Sequence, residues 1–251
     1  MITRRTFLRS ILGAGALAAG AGRLHAAPEP RLIRVGLILP KDGAFAESLR
    51  RGAELGAQEA GRTAELLRAR FELLTATAGD PQEASREATR LIEQSNVMAL
   101  VGGVEAAIRA ALGEVADRHQ VLLITTGSPS EAAEAPGRFR FHLAPRRAAG
   151  SRGMEWHHSL SRFGAEQLNQ RFESSFGKPM DSMAWMGWMA VRIPVELALR
   201  HPSATKAELP ERLKAMRFDG HKGARLEFDP SHHLRQPLYR VEGDKAVEEV
   251  P

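Results

Sequence analysis

The sequence predicts an α/β fold: a doubly wound parallel sheet forming a single main lobe. Three observations predict it. Between Leu32 and Leu143 one unit recurs, a short apolar run, a turn and then a helical pattern, the order in which crossover helices join parallel strands. The apolar runs are nearly continuous rather than alternating, as strands covered on both faces require. Acid-proline and glycine-proline punctuation separates the runs at helix starts and stops.

Taken in order, Leu32–Leu39 is the first strand, and Pro40-Lys41-Asp42-Gly43 turns into a helix from Phe45 to Leu67. Arg70–Ala76 is the second strand. Asp80 as N-cap and Pro81 at the first helical position open a helix that runs to Gln94. Ala99–Gly102 is the third strand, Glu105–Arg118 the third helix and Val121–Thr125 the fourth strand. In such sheets ligands bind beyond the carboxyl ends of the strands. That rule marks the turns Asp42–Phe45, Gly102–Ala106 and Thr125–Ser130. Arg138–His142 alternates as a strand, its arginines reading as a solvated face.

Further on, Phe163–Phe172 is helical, and Phe176-Gly177-Lys178-Pro179 ends that helix with a glycine cap and a proline stop. Ser182–Arg200 is a long helix in which Pro194 predicts a kink. Leu209–Met216 is a short helix, and Phe218–Asp229 a turn and a strand. Leu238–Glu242 pairs with Ala246–Val250 around Gly243-Asp244.

The first residues carry an address. Thr3-Arg4-Arg5-Thr6-Phe7-Leu8-Arg9, a weakly apolar stretch from Ile11 to Gly22 and the small residues around Leu24–Ala27 follow the order of a bacterial export signal. The paired arginines resemble the twin-arginine type. Residues 1–26 therefore read as a signal peptide, and the mature protein as periplasmic. Removing them takes away four arginines and no acid, so the formal charge falls from +5 to +1. Compositional support for nucleic-acid binding disappears with them. The chain has no cysteine, which excludes disulfides, thiolate metal sites and thiol nucleophiles. No later apolar run is long enough to span a membrane.

Several fragments in order carry a resemblance. Val35–Pro40, Gly43-Ala44, Arg51–Gly56, Asp80-Pro81, Val101-Gly102-Gly103 and Leu122–Ser128 resemble landmarks of the periplasmic substrate-binding proteins of leucine/isoleucine/valine ABC transporters. The resemblance implies a type I binding-protein fold, a small-molecule ligand, an ABC permease as partner and no catalysis. Phe163–Phe172, Trp185–Val191 and Leu234–Pro237 look like the variant associated with PQQ-dependent alcohol dehydrogenase systems, with a periplasmic dehydrogenase as the alternative partner. Trp188-Met189 stands where the broad family has a Tyr-Asp pair. The family crosses into a second α/β lobe after the segment that ends here at Pro145, and only Arg146–Glu155 lie before Trp156. The expected organisation is a first-lobe core over 27–145, a linker over 146–155 replacing the second lobe, and C-terminal helices and a hairpin over 156–251 packed on the first lobe. The face that the second lobe would cover is expected to be apolar and to allow self-association. Gly43, Phe45, Gly103, Glu105, Thr125, Thr126 and Ser128 are the expected ligand-binding residues, with Trp188 as an apolar wall. Glu105 would repel a ligand carboxylate, so amino-acid capture of the family's usual kind is disfavoured.

The remaining constellations have bland readings beside the chemical ones. Met180, Met183, Met186 and Met189 recur every three residues. Thioethers suit soft copper, but three-residue steps drift around a 3.6-residue helix, and adaptable core filler is the better reading. The doublets His157-His158 and His232-His233, like His142 and His221, supply no His-x-x-x-His or Glu-x-x-His pattern. Neighbouring histidines diverge on a helix or a strand, so no metal site is assigned. Gly127-Ser128 lacks the nucleophile-elbow pattern and Gly102-Gly103 lacks the phosphate-loop lysine. No cofactor and no enzyme activity follow. Three functions remain, in order: an exported solute-binding protein, an accessory protein of a quinoprotein dehydrogenase system, and a methionine-based copper carrier.

Overall fold

Strict alternation along the central strand sorts its side chains between two cores. In β1 (Arg31–Pro40), Val35, Leu37 and Leu39 enter one core and Ile38 the other. The computed structural model describes residues 30–127, 137–145 and 153–250. The export segment, Ser128 and most of the predicted linker lie outside them. The first half follows with α1 (Ala44–Leu66), β2 (Ala69–Ala78), α2 (Pro81–Ser95), β3 (Ala99–Gly102), α3 (Ala106–His119), β4 (Leu122–Thr125) and β5 (Arg140–His142). All five strands are parallel, in the order β2-β1-β3-β4-β5. The chain winds outward from β1 in both directions, so α1 covers one face and α2 and α3 the other. Val101 and Ile124 extend the α1-side core, while Leu100 and Leu123 meet Leu91, Leu112 and Val115 on the opposite side. Asp80 caps α2 as its sequence predicts, with Oδ1 accepting from the Glu83 N–H at 2.8 Å.

The C-terminal half completes the α1 face. It consists of α4 (Ala165–Phe176), α5 (Ser182–Arg200), α6 (Leu209–Lys214), β6 (Phe218–Asp219), β7 (Arg225–Phe228), β8 (Leu234–Arg235), β9 (Leu238–Glu242) and β10 (Lys245–Val250). Strands β6-β7-β8 form a small antiparallel sheet, and β9 and β10 a hairpin. Glycines bring α5 and α1 into backbone contact. A Cβ on Gly52 would lie 1.8 Å from the Ala184 carbonyl oxygen, and one on Gly187 2.3 Å from that of Leu49. Gly52 meets Ala184 and Gly56 meets Trp188, so the two helices run in the same direction. Met180, Met186 and Met189 are buried in the core that this packing creates, beside Trp156, Trp185 and Phe172. The methionine series is therefore packing material, and a copper-binding stripe is not presented to solvent there.

One expectation holds only in part: of the arginines around β5, Arg138 is exposed as predicted, whereas Arg140 is not. Arg140 is largely covered and pairs with Asp117 at 2.8 Å, and Arg138 donates to the Ala207 carbonyl at 2.8 Å. The edge is closed because the segment before β8 lies along it, the His142 N–H donating to the His232 carbonyl at 2.8 Å and Gln236 Nε2 to that of Leu143 at 2.6 Å. The large exposed hydrophobic residues among the described ones are Leu32, Phe45, Leu66, Leu67, Phe163 and Val247, of which Phe163 and Val247 border one cavity.

The α1–α5 contact yields a paired prediction. Gly52→Ala drives a methyl into backbone that cannot rotate away, and overpacking of this kind costs about 3 kcal/mol, or roughly 6–12 °C in Tm for a chain of this size. Gly61→Ala in the same helix meets nothing within 4 Å and should gain about 0.5–1 kcal/mol from helix propensity. Thermal and urea unfolding of both variants measure the contrast.

Candidate functional site

Doubly wound sheets open a crevice where successive connections leave toward opposite faces. Here that point lies between β1, which feeds α1, and β3, which feeds α3. Gly43 and Phe45 stand at the β1 end of the crevice, and Gly103 and Glu105 at the β3 end. Phe45 is 67% exposed and Glu105 is also exposed, whereas Gly103 is buried. Gly103 sits at φ +76° with the Arg109 side chain packed where a Cβ would go, so a larger residue is strained there on both counts. Arg109, in the first turn of α3, is itself buried and donates through Nη1 to the carbonyls of Gly103 (3.1 Å) and Val104 (3.0 Å). The loop after β3 is thereby held from behind by its own helix.

The helix N-termini around the crevice differ in a telling way. Asp80 satisfies the start of α2, but Gly43 before α1 and Glu105 before α3 provide no side-chain cap. The first N–H groups of a helix have no partner within it, and these two ends carry the positive pole of the helix dipole. Both open onto the β1–β3 crevice.

The end of β4 supplies the hydroxyls. Thr125 and Thr126 are fully buried, and the Thr126 N–H donates to the Gly102 carbonyl at 3.1 Å, tying the two strand ends together. The Thr125 hydroxyl lies 2.8 Å from His142 Nδ1. The Thr126 hydroxyl, by contrast, is a buried oxygen with no hydrogen-bond partner among the described residues. An orphan of this kind is expensive in a native protein and marks the place where a further group belongs.

Next to this hydroxyl pair lies a histidine stack that sequence inspection did not connect with it. His142 and His233 stack with ring centroids 4.5 Å apart, and His233 Nδ1 lies 3.1 Å from the Ala144 carbonyl oxygen. Burial, followed by the neighbouring His233 and Arg109, pushes the His142 pKa down to about 3. The imidazole is therefore neutral near pH 7, and this wall is polar but uncharged. Arg109 and the two histidines had no local sequence signal. Arg109 is one cation in an amphipathic helix, and His233 lies 91 residues from His142 in the chain.

Trp188 does not join the site. Its indole N–H donates to Glu59 Oε2 at 2.9 Å, the Arg192 guanidinium covers its ring at 4.1 Å, and His221 stacks on it. Glu59 is fourteen residues along α1 from Phe45, about 21 Å at the rise of an α-helix. Trp188 belongs instead beside a separate cavity of about 410 Å³ bordered by Glu59, Arg192, Glu196 and Asp219. The reason is the parallel α1–α5 register, which places residue 188 against Gly56 and well away from the strand ends.

A parallel sheet in this strand order, with uncapped helix N-termini and hydroxyls at its carboxyl edge, defines a doubly wound α/β lobe. A sequence profile described as periplasmic binding protein matches residues 32–156. No curated protein sequence matches the chain significantly. Solved structures share the type I binding-protein fold at low identity. An ABC transporter substrate-binding protein from Sphaerobacter thermophilus aligns over 88% of this chain and 98% of its own, with 14% identity and a TM-score of 0.74. The branched-chain amino acid transporter substrate-binding protein LivJ from Streptococcus pneumoniae, in complex with isoleucine, covers 87% and 99%, at 12% identity and a TM-score of 0.70. A solute-binding protein of an ABC transporter from R. palustris, in complex with benzoate, covers 86% and 95%, at 14% and 0.70.

The buried histidine makes stability depend on pH. His142 has a folded pKa near 3 against an ordinary 6.5, so between these values only the unfolded chain takes up the proton. Its stabilising contribution is complete above pH 6.5 and declines as pH falls toward 3. We expect about 2 kcal/mol of this loss between pH 7 and pH 5. Urea unfolding at the two pH values should show that share of the change disappearing in His142→Asn.

Proposed function

We propose that this chain is the exported, non-catalytic solute-binding component of an ABC transporter system, delivered to the periplasm by the twin-arginine segment. It holds a small organic molecule on the shelf formed by Gly43, Phe45, Gly103, Glu105 and Thr126. Two observations support it: the Thr126 hydroxyl at the end of β4 is buried with no hydrogen-bond partner among the described residues, and the N-termini of α1 and α3 carry no side-chain cap. Thr125 serves as a support rather than a ligand donor, because its hydroxyl already meets His142. Glu105 adds a carboxylate at the β3 end, so a free carboxylate is repelled and an uncharged polar molecule, such as an alcohol, is favoured over an amino acid.

We further propose that a single lobe does this work. Among the described residues there is one parallel sheet. Between β5, ending at His142, and the described C-terminal segment, beginning at Gly153, lie only ten residues, far fewer than a second α/β lobe of about a hundred requires. The remaining chain is committed to α4–α6 and the two small antiparallel sheets. Without a second lobe to exclude water, solvent competes for each hydrogen bond and binding is weak.

A second reading, as an accessory protein of a quinoprotein alcohol dehydrogenase system, is favoured by one feature. The three stretches that carry that resemblance converge in space around Lys222. Its ammonium sits 4.0 Å from the centre of the Trp185 ring and donates to Gln236 Oε1 (2.6 Å) and the Pro237 carbonyl (3.0 Å). Phe163 lies beside it, its backbone carbonyl 3.3 Å from His221 Nδ1.

A thermal-shift screen of alcohols, amino acids and organic acids separates the two readings. A saturable rise in Tm with an uncharged alcohol-type ligand supports solute binding, and a flat screen with a co-purifying dehydrogenase supports the accessory role. Thr126→Val removes only the orphan hydroxyl. It should leave the unliganded protein as stable or about 1–2 kcal/mol more so, while abolishing the ligand-dependent shift.

A further inference from the structure

Adjacent histidines diverge when they lie on a helix or a strand, but His157 and His158 lie on neither. They occupy the turn after Trp156, where their ring centroids are only 4.2 Å apart. The β9–β10 hairpin brings Asp244 to the same place from 86 residues further along, and its Oδ1 lies 3.3 Å from His158 Nε2. One ligand atom from each of the three residues falls within 4.8 Å of the others. We propose that His157, His158 and Asp244 form a binding site for a borderline divalent transition-metal ion, Zn²⁺ or its neighbours Ni²⁺ and Cu²⁺.

Donor chemistry sets the class of ion. Two imidazoles and one carboxylate, with no thiolate available in a chain without cysteine, suit this group of ions and not Ca²⁺ or Mg²⁺, which take oxygen ligands. Metal–ligand bonds of about 2.0–2.2 Å at tetrahedral angles put neighbouring ligand atoms roughly 3.3–3.6 Å apart. The His158–Asp244 pair already has that spacing, and His157 needs only a small closure. The His157 ring is held in place by the turn, its Nδ1 accepting the Ser159 N–H at 3.2 Å and lying 2.9 Å from the Ser159 hydroxyl. That hydroxyl also accepts the Ala246 N–H at 2.8 Å, so the group positioning His157 is tied to the hairpin that carries Asp244. Three protein ligands leave a fourth position open, and Asp244 is exposed, so the ion is reachable from solvent. Its structural effect is to pin the tip of the β9–β10 hairpin to the turn after Trp156.

The test uses the full mature chain, stripped with chelator and titrated with Zn²⁺ by calorimetry. We expect one ion per chain, and Co²⁺ in its place should show the visible absorption of a four-coordinate ion. His158→Gln and Asp244→Asn should each weaken binding at least tenfold, and Ser159→Ala, which touches no ion, about tenfold. Zn²⁺ should also slow tryptic cleavage after Lys245 in the wild-type protein and leave that of Asp244→Asn unchanged. Asp244 is on an exposed turn, so this variant keeps its fold, as its metal-free Tm verifies. The proposal is overturned if the wild-type chain binds no Zn²⁺, if binding survives in the His157→Gln/His158→Gln/Asp244→Asn variant, or if His119→Gln or His201→Gln weakens it equally.

Discussion

The backbone contact between α1 and α5 is the constraint on which the rest of the structure depends. Gly52, Gly56 and Gly187 let the two helices approach until main chain meets main chain, and that closeness joins the halves of the chain around one core. Were α5 held a methyl's width farther away, Trp156, Trp185 and the buried methionines would lose the surface that they fill. The same contact fixes the register of everything after it. Asp181, the N-cap of α5, accepts from the Ala184 N–H and meets the Ser48 hydroxyl, so the starts of both helices lie together near the carboxyl edge of the sheet. At the far end Arg31 Nη1 donates to the Ala198 carbonyl at 2.7 Å, binding the end of α5 to the start of β1.

The candidate site depends on that scaffold but is built from different chemistry. It sits where connections leave the sheet toward opposite faces, so backbone geometry alone gathers two helix N-termini there. Side chains then complete it from distant positions. Arg109 braces the loop after β3, Thr126 ties β4 to β3, and the strip that includes His232 and His233 closes the edge beyond β5. The wall contributed by His142 is neutral because burial and neighbouring cations disfavour its protonation. A polar, braced edge results, with one buried hydroxyl that has no partner among the described residues.

The Lys222 cluster and the hairpin metal site occupy neighbouring ground on the C-terminal half. Lys222, Tyr239, Ser159 and Ala246 border a cavity of about 240 Å³, and Ser159 and Ala246 also position the turn with His157. Pinning the hairpin would therefore set the shape of a depression next to the motif stretches. This part of the molecule carries more functional chemistry than its small sheets suggest.

The sequence by itself determined the parallel sheet and its strand and helix order. Continuous apolar runs such as Leu37-Ile38-Leu39 and caps such as Asp80-Pro81 are local signals, and α/β topology follows from them with few alternatives. It placed β3 and α5 at their observed limits and found the β9–β10 turn at Gly243-Asp244. Tertiary structure alone decided which side chains meet. Trp188 reads as a ligand wall until the α1–α5 register turns it toward Glu59. Arg140 reads as solvated until Asp117 meets it. His157 and His158 read as divergent until a turn folds them together beside Asp244. The physical reason is common to all three. Periodicity reports which face of an element is buried, whereas the partner on that face comes from a segment dozens of residues away, placed by a helix–helix distance that only glycine contacts in three dimensions set.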